Sequence, residues 1–234
     1  MKSPRILVVD DNVDLAENVA EALELAGAQA ELAASGREAL ARLAADPPFD
    51  LVLTDMRMPD VSGLELIRAL RVRDPATPVI VMTAYTRGAD LDEARERGAL
   101  EVLEKPIDLG AVMALVERLR DPVPVLVVED DAMLRANLTE ALFGLERVLP
   151  LSAGSASEAR RVAQRVSPRL VVLDLRLPDE RGLSLLDELR SERELEVIVT
   201  TGFPNEVEGE LGDAEVLAKP FAIATLLHRV KALS

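Results

Sequence analysis

Four short blocks of this 234-residue chain occur twice, in the same order. Ile6-Leu7-Val8-Val9-Asp10-Asp11 returns as Val125-Leu126-Val127-Val128-Glu129-Asp130, and Leu51-Val52-Leu53-Thr54-Asp55 returns as Leu170-Val171-Val172-Leu173-Asp174. Both pairs are offset by 119 positions, 129 against 10 and 174 against 55. Val79 to Ala84 returns as Val197 to Gly202, and Glu101-Val102-Leu103-Glu104-Lys105-Pro106 as Glu215-Val216-Leu217-Ala218-Lys219-Pro220. A repeat of this period is one structural module made twice, so any fold must be solved in about half the chain.

Each copy alternates short runs of Val, Ile and Leu with stretches of helical period, among them Leu15 to Leu25, Ala39 to Ala44 and Leu64 to Leu70. Apolar runs without polar alternation fit strands buried on both faces of a parallel sheet. Strands alternating with helices give right-handed βαβ units and a doubly wound sheet. Strands are expected near 5–10, 28–33, 50–54, 78–83 and 100–104, and near 124–129, 147–152, 169–173, 196–200 and 214–218. The expected domains are residues 1–121 and 122–234, joined at Asp121-Pro122-Val123-Pro124.

Ligands of an open parallel sheet bind at the carboxyl ends of its strands. Asp10, Asp11, Asp55, Thr83 and Lys105-Pro106 stand at such ends in the first copy, and so converge on one crevice. Three neighbouring carboxylates repel one another unless a cation neutralises them, and an all-oxygen site with open positions suits Mg²⁺. A metal and an ammonium there would neutralise a phosphoryl group arriving at Asp55, with the Thr83 hydroxyl on one of its oxygens.

Taken singly, each residue has an ordinary explanation: an aspartate after a strand commonly caps a helix, and a lone threonine or lysine fills a strand or a surface. The set, repeated, resembles the receiver domains of two-component response regulators. The matching residues are Asp10, Asp11, Asp55, Thr83 and Lys105-Pro106, then Glu129, Asp130, Asp174, Thr201 and Lys219-Pro220. In both copies 44 residues separate the inner acid from the acceptor, 55 against 11 and 174 against 130. The resemblance implies two flavodoxin-like (βα)5 folds with five-stranded parallel sheets. It implies that Asp55 and Asp174 are phosphoacceptors. It further implies Mg²⁺ held by Asp11 or Asp130, by the acceptor and by the main-chain carbonyl of Arg57 or Arg176, with Asp10 and Glu129 acting through water. The family's phosphodonor is a histidine kinase or histidine phosphotransfer protein, and its Lys-Pro bond is usually cis. An alternative within the family is a scaffold in which one receiver, the second, serves only for docking.

Other classes fit less well. A dehalogenase-type phosphatase needs a second aspartate two residues after the first, where this chain has Arg57 and Arg176. A dinucleotide-binding turn needs glycines where it has Asp-Asp-Asn and Glu-Asp-Asp. Turnover of a soluble substrate is not expected. The net charge of -15 is shared, with 14 Lys+Arg against 22 Asp+Glu in residues 1–120 and 13 against 20 in the rest, which disfavours direct nucleic-acid binding. No apolar run is long enough for a membrane span, and a cytoplasmic protein signalling to a downstream protein partner is expected.

The copies also differ. From threonine to lysine there are 22 residues in the first copy and 18 in the second, 105 against 83 and 219 against 201. A shortened fourth helix is therefore expected, with Pro204 to Gly212 forming a loop or single turn. Val102 and Val216 stand where the family often has an aromatic switch residue, and Tyr85 and Phe203 are assigned to the outer rim of each site.

Overall fold

The structure is a computed structural model, and it describes residues 3–44, 48–84, 88–192, 194–204 and 211–233. The chain divides into two compact units, Met1–Pro122 and Val123–Ser234.

The first unit runs β1 (Arg5–Val9), α1 (Val13–Leu25), β2 (Gln29–Ala33), α2 (Gly36–Leu43), β3 (Leu51–Asp55), α3 (Gly63–Arg73), β4 (Val79–Thr83), α4 (Gly88–Glu96), β5 (Glu101–Glu104) and α5 (Leu109–Arg120). The second runs β6 (Val123–Val128), α6 (Ala132–Phe143), β7 (Val148–Ala153), α7 (Ala156–Arg165), β8 (Leu170–Asp174), α8 (Gly182–Glu192), β9 (Glu196–Thr201), β10 (Glu215–Ala218) and α9 (Ile223–Leu233). The strand orders are β2-β1-β3-β4-β5 and β7-β6-β8-β9-β10, every pairing parallel. These are the two doubly wound five-stranded sheets expected from the apolar runs.

Burial explains the runs. Ile6 to Val9, Leu51 to Leu53 and Val79 to Met82 are almost wholly enclosed, as are Val125 to Val128, Leu170 to Leu173 and Val197 to Val199. Alternate residues of a strand face opposite sides of its sheet. Leu7, Val9, Val52, Val79 and Val81 join Leu66, Ile67 and Leu70 of α3 in one core. In the second unit Val125, Val127, Val172 and Ile198 join Leu138 and Leu142 of α6 and Leu226 and Val230 of α9. Enclosing a side chain of this size contributes about 1.5–3 kcal/mol, so a polar residue within the runs would be costly.

The register brings the carboxyl ends of the central strands level. Val9 is opposite Thr54, Asp55 opposite Met82 and Thr83 opposite Glu104; Val128 is opposite Leu173, Asp174 opposite Thr200 and Ala218 opposite Thr201. The first unit has α4 between its fourth and fifth strands. In the second, residues 205–210 of the corresponding connection lie outside the described residues, and with them most of the stretch assigned to a trimmed helix.

Candidate phosphoacceptor sites

Strand termination puts each acidic side chain where the sheet stops supplying partners. Asp10, the first residue after β1, is wholly buried, and Asp55, the last of β3, nearly so. Lys105 follows β5, tied to β4 by its amide on the Thr83 carbonyl (2.7 Å). Its ammonium reaches back across the strand ends to Asp10 Oδ2 (2.7 Å) and Asp55 Oδ1. The remaining oxygens take main-chain donors: the Asn12 amide donates to Asp10 Oδ1 (2.9 Å) and the Arg57 amide to Asp55 Oδ2 (2.7 Å). The buried Thr83 hydroxyl lies 3.8 Å from the Met56 sulfur.

The second unit repeats the arrangement. Lys219, held by its amide on the Thr201 carbonyl (2.7 Å), donates to Glu129 Oε2 and Asp174 Oδ2, each at 2.6 Å. The Arg176 amide donates to Asp174 Oδ1 (3.0 Å), and the Asp131 amide approaches Glu129 Oε1 (3.4 Å). The Thr201 hydroxyl accepts from the Phe203 amide (3.0 Å). Lys105-Pro106 and Lys219-Pro220 are both cis peptides.

The electrostatics follow from the company each group keeps. Burial pushes both lysines down, but hydrogen bonds and charge from the paired carboxylates outweigh it and hold the ammonium forms. Burial pushes Glu129 above the usual carboxylate range, with Lys219 opposing. One ammonium does not balance three carboxylates, so the second pocket, where Glu129, Asp130 and Asp174 meet, has an unmet demand for positive charge and only oxygen donors to meet it with. That donor set fits Mg²⁺.

The two pockets differ in how far they are gathered. Oxygens of Glu129, Asp130 and Asp174 all lie within 4.8 Å of one another. Among the described residues the first unit has no three acidic side chains drawn together in this way, and Asp11 is exposed. Arg57 pairs with Asp90 of α4 (3.1 Å), while the Arg176 guanidinium lies 4.0 Å from the centre of the Phe203 ring. Phe203 is exposed at the rim, and Tyr85 lies outside the described residues.

A matched pair of aspartates, one in each unit, escaped the sequence reading. Asp60, five residues beyond Asp55, takes the amides of Gly36 (3.2 Å) and Arg37 (3.1 Å) at the start of α2. Asp179 does the same to Ala156 (3.0 Å) and Ser157 (2.9 Å) at the start of α7. The two clasps stand 119 positions apart, and that offset is the signal that could have found them.

The sequence matches the family described as the response regulator receiver domain over residues 6–117 and again over 125–231. A response regulator receiver protein of Anaeromyxobacter sp. (strain Fw109-5) is 41% identical over 233 residues, covering 98% of this chain and 94% of that one. The response regulator protein PilR of Pseudomonas aeruginosa is 41% identical over 125 residues, or 52% of this chain, but the match spans only 28% of PilR. Among solved structures, a response regulator receiver protein from Pseudomonas putida is 34% identical, covers 50% of this chain and 98% of its own, and superposes with a TM-score of 0.48. No described helix is long and apolar enough to cross a membrane. With two matches covering nearly its whole length, the chain belongs to the response regulator receiver domain family and carries two receivers in tandem.

Proposed function

We propose that each receiver accepts one phosphoryl group, on Asp55 and on Asp174, from a phosphohistidine donor, and that the protein signals through contacts with other proteins. The observation that carries this reading is the twofold lysine bridge: at the strand ends a single ammonium holds Asp55 with Asp10 in the first unit and Asp174 with Glu129 in the second.

In the transfer, an acceptor carboxylate oxygen attacks phosphorus as the phosphorus–nitrogen bond of the donor breaks. The nitrogen keeps that electron pair, and with the other ring nitrogen of the donor protonated the leaving group is neutral imidazole. Asp11 with Asp55, or Asp130 with Asp174, would hold Mg²⁺, which when bound would supply positive charge for the phosphoryl oxygens. Lys105 or Lys219 is already hydrogen-bonded to the acceptor and can follow the charge onto the phosphoryl group. Thr83 and Thr201 end the adjacent strand, from where a hydroxyl reaches a phosphoryl oxygen. In the second receiver that hydroxyl still has its proton to give, because it only accepts from Phe203. Beside the first site, Leu15, Val19 and Ala22 of α1 face Pro106, Ile107 and Leu109 across a groove that begins at Lys105 and offers the donor an apolar seat.

The reading includes a histidine kinase or histidine phosphotransfer protein as donor, a cytoplasmic location, no nucleic-acid contact and no turnover of a soluble substrate. A scaffold with a single working receiver is the rival, favoured by the shorter stretch between Thr201 and Lys219. Incubation with Mg²⁺ and a small acyl phosphate, followed by intact mass, separates the two. The proposal expects two phosphoryl groups on the parent chain and one on either Asp55→Ala or Asp174→Ala. A single group on the parent favours the scaffold, and none defeats both.

A further inference from the structure

We infer that Arg135 is a positioning residue for the acidic pocket of the second receiver, and that it makes this pocket the stronger divalent-cation site of the two. The inference rests on the functional reading above, but it concerns a side chain outside the motif that carries the family match. Arg135 sits in the first turn of α6, half-buried. Its Nη1 donates to the main-chain carbonyls of Glu129 (2.5 Å) and Asp130 (3.1 Å). Those two residues supply two of the pocket's three carboxylates. Fixing their consecutive peptide groups fixes the directions in which both side chains leave the backbone, including that of the exposed Asp130.

The first receiver lacks this brace. Counted four residues from the helix caps, Asn12 and Asp131, the position of Arg135 is Ala16. A second position changes with it. The residue before the cap of α7 is Gly154, and the residue before the cap of α2 is Ala34. A Cβ at Gly154 would come within 3.1 Å of Arg135 Nη1 and 3.4 Å of Cζ. The Gly154 backbone is not in the left-handed region, so its conformation does not call for glycine. The missing Cβ is room for the guanidinium. Arg135 with Gly154 accompanies the gathered triad, and Ala16 with Ala34 accompanies the pocket that is not gathered.

The sign of the effect identifies the mechanism. A guanidinium near a cation site repels the cation, so by charge alone removal of Arg135 would tighten binding. A brace that orients the ligands does the opposite, and losing such outer support typically weakens metal binding 10–100-fold.

Titration calorimetry with MgCl₂ on the full chain tests this, with Asp11→Asn silencing the first pocket and added Asp130→Asn as the blank. Arg135→Ala is expected to weaken the second site about tenfold, or about 1.4 kcal/mol, with Arg135→Lys recovering part of the loss. Gly154→Ala is expected to weaken binding when Arg135 is present and to add nothing to Arg135→Ala, a coupling that loss of general stability would not produce. Unchanged or tighter binding in a folded Arg135→Ala chain overturns the inference and leaves the functional reading standing. If Arg135→Ala does not fold, Gly154→Ala alone decides, and unchanged binding there overturns the inference. Absence of Mg²⁺ binding in the Asp11→Asn chain itself removes the reading of the second pocket, and the inference with it.

Discussion

Lys105 bridges two aspartates, whereas Lys219 bridges a glutamate and an aspartate, one methylene longer on the inner side. The bridge is made in both units, yet among the described residues the surrounding acids are gathered only in the second. The bridge therefore accommodates one added methylene, and further divergence lies in what surrounds it. The helix starts show the same thing. Ser62 closes a capping box with Glu65 ahead of α3, while Arg181 ahead of α8 has no acceptor to offer. Gly36 opens α2 against the Val61 carbonyl, while Ala156 opens α7 with its Cβ accommodated.

The largest expected effect tests whether the bridges are equivalent. Lys105→Ala and Lys219→Ala should each slow phosphoryl uptake at their own aspartate by about 100-fold, the scale of losing one preorganised donor to a developing charge. Site-resolved rates check this. Slowing at the other unit's aspartate would break the independence of the two sites.

Next comes the start of the second helix. A Cβ on Gly36 would fall 2.2 Å from the Val61 carbonyl oxygen, main chain that cannot swing away. Gly36→Ala should destabilise the first unit by about 3 kcal/mol in a denaturant titration. Ala156→Gly should cost the second unit about 1 kcal/mol, the ordinary penalty of glycine in a helix. Equal costs would mean that the two loops differ less than their residues imply. Ser62→Ala should cost about 1 kcal/mol by removing a cap, against less than about 0.5 kcal/mol for Arg181→Ala.

The smallest effect is expected to be shared. The Val61 amide most of all, with those of Arg37 and Gly36, holds the Asp60 carboxyl below the usual range. Burial pushes Asp179 up, but the Ser157 and Ala156 amides outweigh it, again giving a lowered value. A depressed folded value stabilises above the ordinary carboxylate pKa and is lost as pH falls through the lowered one. The stability gap between the parent and Asp60→Asn or Asp179→Asn should thus be open at neutral pH and narrow as pH falls below the ordinary carboxylate range, closing once the folded carboxyl is protonated. A gap that persists in acid would assign the clasp to shape and not to charge.

The sheets and the acid–lysine pockets were legible because both are written in contiguous blocks. An apolar run reports burial directly, and a residue just after a run must stand at a strand end. The clasps were not legible in that way. Asp60 follows a proline and reads as a turn residue, and its role depends on where a helix 23 and 24 positions away begins. Arg135 was hidden for a different reason. A cation in a first helical turn is disfavoured by the helix dipole and reads as a solvated charge until the carbonyls beneath it are placed.

The most direct test is to find which residues carry the phosphoryl groups. Borohydride reduction converts an aspartyl phosphate to homoserine, which peptide mass spectrometry locates. After treatment with Mg²⁺ and an acyl phosphate, homoserine is expected at positions 55 and 174 and at no other. Homoserine at neither position, or at another aspartate in its place, would contradict it.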